Sequence, residues 1–306
     1  MAAAIATRVI GRAPATVRRF TTGSQHYVFD VAFAGRPSVV VRIGRSSAQA
    51  PMAGALHLSK MLRPRGVPLP KILAEDVRGE FPWLLMERLP GTDLGARITS
   101  LSDQQLDRIA AGVAQAQAIT AATGSAGRYG YAARPEQAPH DMWAQVLDAN
   151  LARSRQRMAR AGLFDVALLD MAQGALAALR DEIDQIAPTP FLHDTTTKNV
   201  IVTADGDISG IVDVDDLCFG DPRYPAALTR AVLLAYGGPV RYVSFWSRHA
   251  GWSADDRVFR LYVTVFLLDL MAEHGQAFNG NERPSSPEVR AHLCRAFKSS
   301  LELVMS

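Results

Sequence analysis

Strand-type and helix-type patterns are distributed unevenly along this chain, and one gives way to the other near residue 90. Before that point, β-branched or alternating runs predict strands at residues 27–33, 39–43, 71–73 and 83–86. A helical run at residues 48–62 interrupts these strands, and Pro68 and Pro70 prevent its continuation. Pro90 and Gly91 then break the chain, so we predict a boundary between two lobes, residues 1–90 and 91–306.

Helical patterns dominate the second part of the chain. Ser102 followed by Gln105 has the capping-box pattern, and apolar spacing predicts helices after it and at residues 142–158, 166–186, 225–234, 255–273 and 287–303. One β-hairpin interrupts them, because residues 199–202 and 208–212 flank Asp205 and Gly206, a pair typical of hairpin turns. These patterns predict an α+β fold in which a small antiparallel sheet precedes a mainly helical lobe.

Composition excludes several classes of protein. The chain has 306 residues, of which 48% are hydrophobic and 21% charged, and this ordinary globular usage excludes a disordered or fibrous protein. Its two cysteines form no CxxC pair, so a thiolate zinc site is not expected. No apolar run approaches the roughly 20 residues of a membrane span, and the apolar stretch that Arg8 interrupts is too short for a secretory signal. We therefore expect a cytoplasmic protein without a membrane partner.

Charge is also distributed unevenly. Residues 1–90 carry a net charge of +8, and residues 91–306 carry a net charge of −5. Such asymmetry is typical of a protein that binds an anion with one part and a cation with the other, although two merely solvated surfaces give the same totals. No run of five basic residues occurs, and basic residues are not interleaved with aromatic ones, so nucleic acid is not an expected partner.

Three polar residues surround the predicted hairpin. Asp194 lies just before it, Asn199 begins its first strand, and Asp213 ends its second strand. Because a hairpin folds the chain back on itself, Asn199 and Asp213 are expected to lie side by side, with Asp194 on the loop beside them. An amide oxygen and a carboxylate suit Mg²⁺, and a second carboxylate within reach can accept a hydroxyl proton. This combination is typical of metal-assisted phosphoryl transfer.

The order and spacing of these residues resemble the catalytic core of kinase-like enzymes, an Asp-x4-Asn pair followed about fourteen residues later by Asp. The adjoining sequences Gly-Ile-Val-Asp-Val-Asp (210–215) and Gly-Asp-Pro (220–222) resemble the phosphotransferase-enzyme family, the aminoglycoside phosphotransferase and choline kinase branch. The resemblance implies a bilobal protein-kinase-like fold. It also implies transfer of the γ-phosphoryl group of ATP, with Mg²⁺, to a hydroxyl of a small molecule such as an aminoglycoside, a sugar or an amino alcohol.

The same resemblance assigns further residues. The segment with Gly23 and Ser24 resembles the family's nucleotide flap, where small residues let backbone N–H groups approach phosphates. Arg42 stands at the position of the strand cation that binds phosphates, and Glu87 and Arg88 lie where the family has its adenine-binding hinge. Residues 1–90 are thus expected to form the nucleotide-binding lobe, and residues 91–306 the catalytic and acceptor-binding lobe.

The strand cation departs from the family pattern. Arg42 replaces the usual lysine, although arginine still offers phosphate a bidentate fork. The family pairs this cation with a glutamate on the next helix, but no acidic residue occurs between Asp30 and Glu75, and the matching positions fall near Gly54 or Ala55. The missing glutamate favours an alternative function, that of a nucleotide-binding pseudokinase or regulatory module. The intact catalytic trio argues against this alternative.

Three residues near the trio have less direct assignments. Lys198 lies four residues after Asp194, where some kinases place a cation that reaches the transferring phosphoryl group, so we include it among the catalytic residues. Asp215 either is a further metal ligand beside Asp213 or orients the loop. His193 directly precedes Asp194, which departs from the family pattern, and we expect it to have a structural role.

The charge of the second lobe bears on the acceptor. Asp269 and Glu273 lie four residues apart on one predicted helix, so they can share a face. Together with the net charge of −5, they favour a cationic or polyhydroxylated acceptor over an anionic one. The alternative is that these acids lie on the outer surface while Trp143, Trp246 and Trp252 line an apolar pocket for a larger neutral compound.

Overall fold

A computed structural model describes residues 1–20, 26–276 and 284–306. Its first part is built on a five-stranded antiparallel sheet with the strand order β1-β2-β3-β5-β4. The strands are β1 (Thr16–Arg19), β2 (Tyr27–Phe33), β3 (Arg36–Ile43), β4 (Ile72–Asp76) and β5 (Trp83–Glu87), accompanied by helices α1 (Ala2–Ile10) and α2 (Gln49–Leu62). All of these elements except α1 and β1 lie close to the positions predicted from the sequence.

The two faces of this sheet differ because side chains alternate along β3. Val39, Val41 and Ile43 are buried in the cluster that packs under α1. Arg42 lies between the last two and therefore faces the opposite side of the sheet. Its cross-strand partner is Leu84, which belongs to the cluster formed with α2. The alternation thus places Arg42 on the face that α2 covers.

Helix α1 is not predicted from the sequence. It ends at Gly11, which has a φ of +73° and so adopts the left-handed conformation common at helix C-termini. Ile5 and Ala6 are buried against the sheet, and the Arg8 guanidinium stacks 5.3 Å from the centre of the Trp83 ring. The short apolar stretch at the start of the chain therefore covers one face of the small sheet.

Helices make up most of the described chain after residue 91: α3 (Asp103–Ala121), α4 (Trp143–Ala161), α5 (Ala167–Ala178), α6 (Arg180–Asp184), α7 (Tyr224–Tyr236), α8 (Arg241–Ala250), α9 (Arg257–Glu273) and α10 (Pro287–Met305). α9 is buried along most of its length and packs against α4, α7 and α10. The helix predicted at residues 166–186 is divided into α5 and α6, and α8 is not predicted. No helix in the described ranges is long and apolar enough to cross a membrane.

Short strands accompany the helices. They are β6 (Thr92–Asp93), β7 (Gly130–Ala132), β8 (Thr189–Phe191), β9 (Val200–Val202), β10 (Ile208–Ile211) and β11 (Leu217–Gly220). β9 and β10 form the predicted hairpin, and β6 pairs with the free edge of β9. β7 and β8 flank β11 in a second small sheet that is not predicted, since three or four residues are too few to establish a period-two pattern.

The junction between the sheet and the helical part is tightly packed. Gly91 has a φ of +101°, and a Cβ at this position would overlap the carbonyl oxygen of Val202 in β9. The chain therefore enters the second part pressed against the hairpin. The early sheet and the later helices are the α+β arrangement expected from the sequence, while the lobe boundary at residue 90 stays a prediction.

Candidate active site

The loop between β8 and β9, residues 192–199, is anchored by a glutamine. Gln117, buried on α3, donates through Nε2 to the Leu192 carbonyl at 2.8 Å and to the Thr195 hydroxyl at 3.1 Å. Its Oε1 accepts the Leu192 N–H at 2.9 Å. Because these hydrogen bonds are shielded from water, they hold the loop backbone in a defined position.

Asp194 and Asn199 lie together on this loop. Asp194 Oδ1 accepts a hydrogen bond from the Thr196 hydroxyl at 3.0 Å, while no hydrogen bond from the described residues engages Oδ2. Asn199 Nδ2 donates to the Asp194 backbone carbonyl at 3.0 Å. This bond orients the amide and leaves Asn199 Oδ1 without a hydrogen-bond partner in the described chain. Each side chain therefore keeps one oxygen available.

Asp213 lies close to Asn199 because the hairpin reverses the direction of the chain. The Asn199 carbonyl accepts the N–H of the residue before Asp213 at 2.9 Å. Asp213 has a φ of +63°, the one positive φ outside glycine in the described residues, and such strain is concentrated at functional sites. Burial raises the pKa of Asp213, and the charges of Asp215 and Asp194 raise it further against the opposing charge of Arg42.

The Arg42 side chain extends from β3 to Asp213 and Asp215. Its buried guanidinium donates to both oxygens of Asp215, from Nη1 at 2.6 Å and from Nη2 at 2.5 Å, and Nη2 lies 3.3 Å from Asp213 Oδ1. His26 Nε2 lies 3.3 Å from Asp215 Oδ2. Burial disfavours ionisation of Asp215, but the hydrogen bond with His26 and the charge of Arg42 outweigh it and lower the pKa of Asp215. Arg42, Asp213 and Asp215 thus form one charge cluster.

Helix α2 approaches the residues after the hairpin very closely. A Cβ on Gly54 would overlap the backbone carbonyl oxygen of Asp215 and lie 3.1 Å from the Cβ of Ala133. Gly54 is one of the two positions at which the family pattern predicts a glutamate. The backbone of the facing segment leaves no room for such a side chain there.

We expect Gly54→Ala to destabilise the fold. The added methyl group meets backbone, which cannot turn aside, and overpacking of this kind costs about 1–3 kcal/mol. The gain in helix propensity of about 0.5–1 kcal/mol offsets only part of this cost. Urea unfolding should show the loss. The control is Gly174→Ala on α5, where a Cβ meets nothing within 4 Å and the same substitution should stabilise the protein. Equal effects of the two substitutions would contradict the close approach of α2.

His193 makes structural contacts. Its Nε2 is paired with Asp216 Oδ1 at 2.6 Å, and its ring meets the Tyr131 ring edge-on with centres 5.0 Å apart. Burial lowers the pKa of His193, but the hydrogen bond and charge of Asp216 outweigh this effect and raise it overall. These contacts hold the ring in place and fit the structural role expected from the sequence.

The predicted adenine hinge lies at the end of β5. The Glu87 carboxylate accepts the Lys71 N–H at 2.7 Å, which ties β5 to the segment before β4. Arg88 donates from Nη1 to the Leu89 carbonyl at 2.6 Å, and its guanidinium lies 5.6 Å from the centre of the Phe20 ring. Both side chains are therefore held by their surroundings, and their role toward a nucleotide stays a prediction.

The remaining predicted residues are Gly23, Ser24 and Lys198. Gly23 and Ser24 lie outside the described residues. Lys198 is exposed at the end of the Asp194 loop, close enough to Glu273 on α9 for its charge to lower the pKa of that carboxyl group. Lys198 thus faces α9, whereas Arg42 faces the segment after the hairpin.

Gln117, Thr196 and His26 support the site and are not predicted from the sequence. Gln117 lies four residues after Val113, in the buried stripe of α3, so a polar residue in an apolar stripe is the signal that could have identified it. Thr196 and His26 carry no comparable signal, because their contacts are set by tertiary packing.

The oxygen atoms at the end of the hairpin fit a magnesium ion. Asn199 Oδ1 has no hydrogen-bond partner in the described residues, and Asp213 directly follows the residue whose N–H the Asn199 carbonyl accepts. The pKa of Asp213 is raised in part by two nearby carboxylates, and a divalent cation would supply the missing positive charge. In the described ranges no group of three His, Cys, Asp or Glu side chains is placed to hold a metal. Mg²⁺ commonly uses one or two carboxylates together with water and phosphate oxygens.

The sequence profile of the phosphotransferase enzyme family, APH, matches residues 16–256. The chain belongs to this family. The match includes the five-stranded sheet, the loop of Asp194, the hairpin and all helices from α2 to α8. The family expected from the sequence motifs is therefore confirmed.

Solved aminoglycoside phosphotransferases share the fold of this phosphotransferase. Its structure is similar to the crystal structure of APH(4)-Ia with a TM-score of 0.72 at 17% identity, covering 99% of each chain. The GDP complex of a mutant aminoglycoside 2'-phosphotransferase-IIIa gives a TM-score of 0.65 at 18% identity, covering 98% of this chain and 94% of that chain. A streptomycin–ATP complex of APH(2")-IIa gives a TM-score of 0.62 at 10% identity, covering 98% of this chain and 96% of that chain. These matches confirm the protein-kinase-like fold. A search of curated proteins finds no match.

Proposed function

We propose that this phosphotransferase transfers the γ-phosphoryl group of ATP to a hydroxyl of a small molecule, with Mg²⁺ as its metal. The observation that carries the proposal is the meeting of Asp194, Asn199 and Asp213 at one end of the hairpin, with Arg42 at 3.3 Å from Asp213. A carboxylate with an unengaged oxygen, two oxygen ligands and a buried cation are the parts that phosphoryl transfer uses.

Each group has a separate role in this proposal. Asp194 accepts the proton of the acceptor hydroxyl through the oxygen that Thr196 leaves unengaged. Asn199 and Asp213 hold the magnesium ion, which when bound neutralises charge on the phosphates. Arg42 binds a phosphate oxygen. The rate enhancement then comes from positioning and from electrostatic stabilisation of the transferring group.

The nucleotide is assigned to residues 1–90 and the acceptor to residues 91–306. Gly23 and Ser24, which lie outside the described residues, are assigned to the phosphates, and backbone groups at Glu87 and Arg88 are assigned to adenine. The net charge of +8 on residues 1–90 supports this division, because a polyphosphate is attracted to a basic lobe.

The proposed activity is tested by ATP turnover on a panel of hydroxyl compounds that includes aminoglycosides, sugars and amino alcohols. ADP should form in step with a phosphorylated product, identified by mass spectrometry, for at least one class. Nucleotide binding without turnover on any member would instead support the pseudokinase alternative.

The acceptor is assigned to the side of the loop that faces α4 and α9. Asp269 on α9 is already paired, lying 3.2 Å from Arg153 and 3.9 Å from Arg157. Glu273, one turn further along α9, has no ion-pair partner within 4.0 Å in the described chain and lies near Lys198. Of the two acids that the sequence places on this face, Glu273 is therefore the one available to an ammonium group.

Lys198 is assigned to the transferring phosphoryl group. It adjoins Asn199 in the sequence and is exposed toward the acceptor side. An exposed ammonium can turn toward the phosphoryl group without giving up a fixed partner, since no ion pair within 4.0 Å engages it in the described residues.

The tryptophans do not provide the alternative apolar pocket. Trp143 and Trp246 are fully buried, and Trp143 Nε1 donates to the Tyr262 hydroxyl at 2.8 Å. Trp252 packs against Phe259, with ring centres 5.3 Å apart. These side chains belong to the helical core, which leaves the charged surface beside Glu273 as the better-supported acceptor side.

We expect Glu273→Gln to weaken the use of amine-bearing acceptors. Burial, aided by the charge of Asp269 and opposed by Lys198 and Arg157, raises the pKa of Glu273 to about 7. A carboxyl group is negative above its pKa, so kcat/KM for an amine-bearing alcohol should fall as the pH drops through this value. At higher pH, Glu273→Gln should lower that kcat/KM about threefold to tenfold, and it should flatten the pH profile.

The comparison uses matched amine-bearing, neutral and acidic alcohols. Glu302→Gln, an exposed carboxylate on α10, is the matched control and should leave all three values unchanged. A preference for the acidic alcohol, or an equal loss on the neutral and the amine-bearing compounds, would overturn the assignment of Glu273.

A further inference from the structure

Arg42 requires a counter-ion that α2 does not supply. The residue is only 5% exposed, and an unpaired charge at that depth is strongly unfavourable. The chain has no acidic residue between Asp30 and Glu75, so α2 carries none. At Gly54 the helix also has no room for a longer side chain, because the backbone of Asp215 lies against it. The counter-ion must therefore come from another element.

We propose that Asp215 is the positioning residue that holds Arg42 toward the nucleotide phosphates, in place of a helix glutamate, and that Asp215 is not a metal ligand. This inference rests on the proposed function. Both Asp215 oxygens accept hydrogen bonds from Arg42, at 2.6 and 2.5 Å, and Oδ2 also faces His26 at 3.3 Å. Asp213, by contrast, has a single ion-pair partner within 4.0 Å in the described residues, Arg42 at 3.3 Å. Asp213 thus remains open to a metal, and Asp215 does not.

The pairing leaves Arg42 with a donor for a ligand. Nη1 and Nη2 donate to Asp215, whereas Nε is buried and has no hydrogen-bond partner in the described chain. A buried donor without a partner costs free energy, so the unpartnered Nε of Arg42 points to an acceptor supplied from outside the described chain. A phosphate oxygen is such an acceptor, and guanidinium groups match its geometry well.

The arrangement links two parts of the site. Asp215 lies two residues after Asp213, so the phosphate-binding cation is fixed to the segment that carries the proposed metal ligand. Gly54 packs α2 against the Asp215 carbonyl and keeps that segment in place. Displacement of the loop after the hairpin would therefore move the proposed metal ligand and Arg42 together.

Binding of ADP without metal separates this role from that of a metal ligand. Ligand-detected NMR titration of ADP in EDTA should show an affinity at least about tenfold weaker for Asp215→Asn than for the wild type. Arg42→Gln should show a similar loss, and the double variant should lose no more than Arg42→Gln alone, because Asp215 acts through Arg42. A residue that acts only as a metal ligand cannot affect binding in EDTA.

Thermal unfolding of the ligand-free variants checks the pair independently. Each single variant should unfold at a lower temperature, and the double variant should recover part of the loss, since two neutral amides replace an unpaired charge. Asp207→Asn, which removes the carboxylate of an exposed pair with Arg108 at 3.0 Å, is the control and should bind ADP normally. If Asp215→Asn binds ADP as tightly as the wild type, or if the losses in the double variant are additive, the positioning role is wrong and the proposed function is unaffected. Absence of ADP binding by the wild type would overturn the proposed function with it.

Discussion

Asp194→Asn is expected to lower kcat by at least about 10²-fold while the affinity for ATP stays nearly unchanged. The amide preserves the size of the side chain beside the Thr196 hydroxyl, which lies 3.0 Å from Asp194 Oδ1, but it cannot accept a proton from the acceptor. The carboxylate is assigned to the acceptor hydroxyl and not to the nucleotide, so the two effects should separate. Steady-state kinetics on the acceptor found in the panel, with calorimetric titration of a non-hydrolysable ATP analogue, measures both.

Asp205→Asn is the matched control for this substitution. Asp205 is exposed in the turn of the same hairpin, and its removal should change neither quantity. A near-normal kcat for Asp194→Asn would show that the carboxylate is structural. A parallel loss of nucleotide affinity would place it on the nucleotide side of the site instead.

The core of the candidate site could be predicted because its geometry is local. Asn199 and Asp213 belong to the two arms of one hairpin, and the Asp205-Gly206 turn indicates how those arms meet. Asp194 lies on the loop that leads into the first arm. The structure brings Asn199 next to the Asp194 carbonyl and to the residue before Asp213, as this local reasoning predicts.

The partner of Arg42 could not be predicted in the same way. Arg42 and Asp215 are 173 residues apart, and no turn or helical spacing connects β3 with the loop after β10. The adjacent helix offers no carboxylate, because Gly54 and Ala55 stand near the expected position. The contact depends on how closely α2 packs against that loop, which is a property of the tertiary structure.

The missed elements of the fold have a similar explanation. α8 has Tyr242 and Trp246 buried at helical spacing, a signal present in the sequence but weakened by the polar residues around it. β7, β8 and β11 are too short to show alternation, and their pairing joins segments that lie far apart in the sequence. Local patterns therefore indicate the large elements, while packing determines the small ones.

The role of the glycine at position 54 shows why the missing glutamate does not by itself indicate an inactive protein. A buried cation needs a carboxylate, but physical chemistry does not dictate which element provides it. Here the bidentate pair with Asp215 satisfies that need from the segment that carries Asp213. The missing glutamate therefore no longer favours a pseudokinase, because Asp215 pairs with Arg42 in its place.

Asp213→Ala is expected to abolish the effect of Mg²⁺ on nucleotide affinity. In the wild type, Mg²⁺ should tighten ATP binding by at least about tenfold, or about 1.4 kcal/mol, because Asn199 and Asp213 would hold the ion and the ion would neutralise charge on the phosphates. Without the carboxylate, affinities measured with and without the metal should nearly coincide. Isothermal titration of a non-hydrolysable ATP analogue in Mg²⁺ and in EDTA gives both values for each variant.

Two further variants show whether this loss comes from the metal. Asn199→Ala removes the other proposed ligand and should also reduce the effect of Mg²⁺, whereas Asp207→Asn, on the hairpin turn, should retain it. Asp213 also lies 3.3 Å from Arg42, so its removal will alter binding in EDTA to some extent, and the ratio of the two affinities is therefore the decisive quantity. If the ratio of the two affinities in Asp213→Ala equals that of the wild type, Mg²⁺ does not bind at this end of the hairpin. Because Asp194 is assigned to the acceptor hydroxyl and not to the metal, that result would leave its assignment intact.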